Sequence, residues 1–235
     1  MNRTIPVILA LLAGACSSER PQATAASVSE VVDPATLFSV DDLSALNTPC
    51  PPGMVQVDSF CMDQYEAPNQ RGEKPLVMQS AEDAEAWCSD RGLRLCTEDE
   101  WERACAGTEG RPYPYGTSYE PTYCNTDKKY VGLDEGLLNE WPKPISQREV
   151  DRIWQGEPSG NRSSCASPEG IYDLVGNVEE WVRRKQPVGP FRHILKGRFW
   201  AGGNWTCQQG VWNHADKMRY YETGFRCCSE LRSER

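Results

Sequence analysis

Histidine is nearly absent from this chain: His193 and His214 are the two in 235 residues. A centre built on several imidazoles, the usual arrangement of catalytic zinc, has no material here, and each histidine reads as a hydrogen-bonding group in a loop. Positive charge is also scarce, with 25 Lys and Arg against 34 Asp and Glu and a formal net charge of −9. Nucleic acid is therefore not expected as a partner, because binding to phosphate backbones rests on clustered cations. There is no G-x-S-x-G, Walker or dinucleotide motif and no internal repeat, so those enzyme and solenoid classes are not indicated. Apolar residues make up only 39%, a modest supply for a core of this size. The longest apolar run, Ile5 to Ala13, is too short to cross a bilayer core of about 30 Å as a helix.

Cysteine is what the chain has in abundance: eleven residues. Cross-links restrict the unfolded ensemble and so offset a modest core, and this density fits an oxidising compartment. The N-terminus agrees. Arg3, the apolar run and a small-residue end make an export signal, and LAGACSS resembles a bacterial lipobox in which Cys16 becomes the lipid-modified first residue. Ala13 stands where leucine is usual, and ordinary signal-peptidase cleavage nearby is the alternative. Residues 1–16 are thus expected to be a signal peptide with a lipobox-like end, and the mature protein an outer-membrane lipoprotein facing the periplasm or the cell surface. Loss of residues 1–15 removes Arg3 and takes the net charge from −9 to −10. Setting Cys16 aside leaves ten cysteines, enough for five disulfides.

Residues 17–47, rich in Ala, Ser, Val and Asp and free of Gly, Trp and further cysteine, read as a flexible tether. The domain follows, 48–235, of about 185 residues, a usual size for one folding unit. MVQVDSFCMDQY predicts two short strands about a turn at Asp58 and Ser59. SAEDAEAWCSDRG predicts a helix capped by Ser80 and Asp83, burying Ala84, Trp87 and Cys88 and ending at Gly92. TEDEWERACAG repeats the scheme: Thr97 caps, Glu100 answers, Trp101, Ala104 and Cys105 face inward, and Gly107 stops the helix. Beyond Gly107 the chain reads as loop, interrupted by short strands in HILKGRF and TGFRCC. The expectation is an α+β domain with two main helices, stapled by disulfides.

The ordered series GMVQV, AWCSDRGLRLCTEDEWERACAG, PYGTSYEP, GIYDLVGNVEEW, ILKG and TGFRCC resembles the formylglycine-generating enzyme family, the sulfatase-modifying factors. That resemblance implies a loop-rich fold related to C-type lectins. It also implies a calcium ion in GIYDLVGNVEEW held by Asp173, Gly176, Val178 and Glu180, since calcium accepts carboxylates and backbone carbonyls together. The other reading is that Asn177 and Glu180 only hydrogen-bond the loop while Trp181 fills the core. IWQGEPSGN resembles the region of a second calcium site but lacks clear acidic matches, so one ion is expected.

The family's chemistry, oxidation of a sulfatase cysteine to formylglycine, uses copper(I) held by two thiolates, a soft-ligand pair that selects this ion. The resemblance places those thiols six and eleven residues after a lysine. Counting from Lys196 gives Gly202 and Cys207, and Phe199 replaces a functional serine. Cys207 alone cannot make the two-sulfur site, so copper is not expected, and Cys207 reads as half of a disulfide rather than as a catalytic thiol. The pairing Cys88 with Cys227 resembles a family bridge; Cys50 with Cys61 and Cys124 with Cys165 are further pairs. Among Cys96, Cys105, Cys207 and Cys228, joining Cys105 to Cys207 is the favoured choice, and the sequence does not fix the connectivity. Three histidines, as the iron site of related sulfoxide synthases requires, are not available. Trp200, Trp205 and Trp212 either fill the core or line a groove for peptide or sugar. The function expected is calcium-ordered binding of an envelope protein, peptide or glycan by a membrane-anchored, non-catalytic domain. The alternative is an oxidase with a rearranged site of Cys207 and either Cys227 or Cys228.

Overall fold

The computed structural model describes residues 49–232. Cys16, the signal segment and the tether lie outside the described residues. The first two strands, β1 (Met54–Val57) and β2 (Phe60–Asp63), pair in register across Asp58, whose φ of 47° makes the tight turn. Helix α1 (Ala81–Ser89) begins with a reciprocal capping box between Ser80 and Asp83, and α2 (Glu98–Ala106) with the same device between Thr97 and Glu100. Each box satisfies backbone N–H groups that a helix start leaves without partners. Gly107, at φ 66°, ends α2 in a conformation that favours glycine.

Between the helices lies β3 (Arg94–Leu95). It joins the sheet ordered β1-β2-β8-β3, in which β8 is Cys227–Glu230. The other sheet, ordered β6-β5-β4-β7, comprises β4 (Glu179–Val188), β5 (Phe191–Lys196), β6 (Gly210–Val211) and β7 (Thr223–Phe225). TGFRCC, which reads as one strand, is two: β7 runs parallel to β4 in one sheet and β8 antiparallel to β2 in the other. Arg226 is the residue at the crossing and is fully buried.

Two helices stand where the sequence reads as loop, α3 (Glu135–Leu138) and α4 (Pro144–Ile153). The longer one hides its amphipathic face, because Ser146 and Glu149 are buried beside Val150 and Ile153. Glu149 is held by Arg152 and by the backbone N–H of Asp134, which makes a polar residue tolerable on the inner stripe.

The core is tryptophan-centred: Trp101, Trp181 and Trp200 are each at most 1% exposed. Five disulfides tie it: Cys50–Cys61, Cys88–Cys227, Cys96–Cys228, Cys105–Cys207 and Cys124–Cys165. Adjacent Cys227 and Cys228 point to opposite faces of β8, as the pleat demands, and so staple α1 and the start of α2 from the two sides.

Candidate functional site

The segment GIYDLVGNVEEW is buried almost throughout, although it carries three acids. Backbone shape explains part of this. Gly176, at φ 80°, sits where a Cβ would lie 2.4 Å from the Asn125 carbonyl oxygen, so the chain passes against residues 125 and 126 as bare backbone. Asn177, also left-handed at φ 57°, then turns its amide inward. Its Nδ2 donates to Glu66 Oε1 at 2.7 Å, and its Oδ1 accepts from the Glu157 N–H at 2.8 Å and from Asn125 Nδ2 at 3.2 Å. One amide thereby ties the segment after β2, the 155–160 loop and the approach to β4.

Glu180 is the partner of one buried cation, Arg226, whereas Glu179 pairs with Arg198. Glu180 accepts Arg226 Nη2 at 2.6 Å on Oε1, and Arg226 Nε at 2.7 Å and Trp101 Nε1 at 2.8 Å on Oε2. Arg226 also donates to the carbonyls of Asp63 and Tyr172. Asp63 accepts from the Cys227 N–H and from Asn69. Burial, opposed by the Cys227 N–H and by Arg226, pushes its carboxyl up to about 7. Asp173 takes a bond from the Gly160 N–H at 2.6 Å, and burial lifts it to about 6. Glu66 is raised well above the usual carboxylate range by burial and then by Asp173, while Ser159 donates to it at 2.6 Å. Of these four buried carboxyl groups Glu180 alone bonds Arg226, whose charge also acts on Asp63, Glu66 and Asp173.

Does calcium fit the four positions that the resemblance singles out? Asp173 offers Oδ1, which accepts no hydrogen bond among the described residues. Glu180 takes three bonds, and a carboxylate has about four lone-pair sites, so one remains. Near them, Asn125 Oδ1 is buried with no donor, a costly state that a cation or a water relieves. Among the described residues no three His, Cys, Asp or Glu side chains converge as a ready-made metal cage. Asp173 Oδ1 and the remaining site on Glu180 are the carboxylate oxygens this loop would offer a hard ion. Asn125, Glu66 and Asp63 are members of this cluster that sequence reasoning missed, for they come from 48 to 110 residues upstream of Asp173.

The position of the family's thiols is built differently. Lys196 is fully buried and donates to Glu102 Oε1 at 2.6 Å and to the Gln208 carbonyl. Cys207 is bonded to Cys105, and both are fully buried. At Gly202 a Cβ would come within 2.7 Å of Arg198 Cγ. Arg198 has φ 63°, reaches Glu179 at 3.2 Å and lies over the rings of Phe199 and Trp205. Phe199, in the serine position, is packed into the core beside Trp200 and Tyr221. Cys227 and Cys228 are bridged to Cys88 and Cys96, so a rearranged pair with Cys207 has no free sulfur among the described residues.

The three tryptophans separate. Trp200 is core, Trp205 is half-buried under Arg198, and Trp212 is 53% exposed. The two histidines separate as well. His193 is buried between Glu85 and Asp216, whereas burial and then Arg198 lower the pKa of half-buried His214.

These features define a loop-rich α+β domain of the formylglycine-generating-enzyme type, related to C-type lectins, with its cysteines oxidised in pairs. The sulfatase-modifying factor enzyme 1-like domain family matches residues 22–231, and the chain belongs to that family. A mouse protein named inactive C-alpha-formylglycine-generating enzyme 2 is 32% identical over 169 residues, 67% of this chain and 49% of its own. Mouse formylglycine-generating enzyme is 28% identical over 184 residues, 68% of this chain and 45% of its own. The chain therefore spans about half the length of the curated relatives it matches. The structure of CarF superposes with a TM-score of 0.52 at 16% identity, covering 74% of this chain and 87% of CarF.

Proposed function

We propose that this protein is a non-catalytic member of its family, anchored in the bacterial envelope through Cys16, that binds a peptide, protein or glycan on loops ordered by one calcium ion. The observation that carries this reading is the Cys105–Cys207 bridge, together with a glycine at residue 202 in the other thiol position. Copper(I) held for the family reaction needs two thiolates, and here one candidate is oxidised while the other is missing. The similarity to proteins named inactive supports the same conclusion. Asp173, the carbonyls of Gly176 and Val178, and Glu180 would hold the calcium. Its charge offsets the surplus of buried carboxylates and leaves them ionised. That stiffens the junction between β4, β7 and the 155–160 loop.

Two measurements test the reading. Copper(I) titration beside an oxidation assay on a sulfatase-type cysteine peptide is expected to show neither stoichiometric binding nor turnover; turnover would overturn the non-catalytic assignment. Calcium at 100 times its Kd stabilises a site by about 2.7 kcal/mol. Wild type should show such a gain over the chelated protein and Asp173→Ala should not. An equal response in both proteins would remove calcium from this loop.

A further inference from the structure

The hairpin of β4 and β5 carries a feature separate from the Gly176 loop. Along its half next to the turn opens a cleft of ≈ 340 Å³ lined by Glu85, Arg183, Arg184, Pro187, Arg192 and His193. In a chain of net charge −9 this is a cationic cleft, with three guanidiniums against one lining carboxylate.

Two of the arginines are already matched. Arg183 Nη2 donates to Glu85 Oε1 at 2.7 Å, and Arg192 Nε to Asp216 Oδ2 at 2.9 Å. The same two acids clamp His193, at 3.1 Å from Nε2 and 3.0 Å from Nδ1, with the ring 2% exposed. Arg184 is left over. Its Nε and Nη1 are buried and meet no acceptor, and it forms no ion pair among the described residues. A buried donor of this kind is expensive unless something outside the chain supplies the acceptor. The β4–β5 register breaks between Arg183 and Val188, so simple pleat alternation does not hold Arg184 on the face opposite Arg183.

We propose that this cleft is a binding site for a phosphate- or sulfate-type oxyanion, with Arg184 as the donor that recognises it. Guanidinium presents a planar fork that matches such groups bidentately. Arg183 and Arg192 are balanced by Glu85 and Asp216, so one incoming anionic group neutralises the remaining cation. The volume holds an oxyanion with room for part of the molecule that carries it. This site is independent of calcium and of the oxidised cysteines.

The test is an NMR titration of the ¹⁵N-labelled mature protein, following arginine Nε–H resonances as inorganic phosphate, inorganic sulfate, glycerol phosphate or acetate is added. Saturable binding of phosphate or sulfate that moves one Nε–H resonance, assigned to Arg184 by its loss in Arg184→Gln, is expected. Arg184→Gln should weaken binding about tenfold or more. Arg148→Gln, which removes one exposed charge on α4, should leave it unchanged. Tighter binding of glycerol phosphate than of inorganic phosphate identifies an esterified ligand, and equal binding a free anion; both support the site. Absence of a saturable shift in the wild type, undiminished binding in Arg184→Gln, or acetate binding as tightly as phosphate overturns it.

Discussion

Replacing Arg226 with methionine keeps an unbranched apolar stem and deletes its charge at the point where the chain passes from one sheet to the other. Two charge-assisted bonds to Glu180 disappear, at 2.6 and 2.7 Å, along with donations to the carbonyls of Asp63 and Tyr172. Glu180 keeps only Trp101 Nε1. Removing one member of a buried pair costs about 3–5 kcal/mol, and each carbonyl left without a donor adds roughly 1 kcal/mol. The expected loss is therefore about 5–7 kcal/mol in a domain whose total stability is on the order of 5–15 kcal/mol. Adding Glu180→Gln should recover part of it, because the amide oxygen still accepts from Trp101 and no buried charge remains at residue 180. The double variant should thus be more stable than Arg226→Met alone by about 2 kcal/mol, a coupling of the size seen between residues in one network. Urea unfolding at pH 7, with disulfides intact and divalent cations chelated, reads these values from tryptophan fluorescence. A methionine variant within 1 kcal/mol of wild type, or strictly additive single changes, would refute the view that Arg226 is the shared counter-ion of this core.

Other expectations follow from the same cluster and from the backbone. Asp63 is lifted from 3.8 to about 7 chiefly by burial, so the folded state holds a proton that the unfolded state releases. Its contribution to stability is flat below about pH 4 and falls as pH rises from there through 7. Thermal melts across this range without divalent cations should show the slope, and Asp63→Asn should flatten it; a wild-type profile that rises between pH 5 and 7 would contradict the assignment. Gly176→Ala pushes a Cβ to 2.4 Å from the Asn125 oxygen in a left-handed backbone, and a loss of roughly 2–4 kcal/mol is expected in urea unfolding. Thr97→Ala removes the hydroxyl that accepts from the Glu100 N–H, and should cost about 1 kcal/mol.

The parts legible in the sequence were those whose signals are local. Ser80 with Asp83 and Thr97 with Glu100 announce two helix starts at three-residue spacing, and Met54–Val57 with Phe60–Asp63 announces a hairpin at a two-residue turn. Helix α4 was not legible, because its inner face carries Ser146 and Glu149, whose partners come from elsewhere in the fold. Nor was the division of TGFRCC at Arg226, since a run of alternating residues does not reveal that its two halves pair with different sheets. The site divides along the same line. Asp173, Asn177 and Glu180 stand out in GIYDLVGNVEEW by composition, whereas Glu66 and Asp63 enter through contacts more than 100 residues long, and nothing near Gly202 in the sequence shows that Arg198 fills the space beside it.

A thiol count on the denatured but unreduced protein tests the central claim most directly: alkylation followed by peptide mapping, scored for the ten cysteines from Cys50 to Cys228. All ten are expected to be blocked, with Cys105 and Cys207 recovered in one linked peptide. Two alkylated cysteines, one of them Cys207, would restore the material for a copper site and contradict that claim.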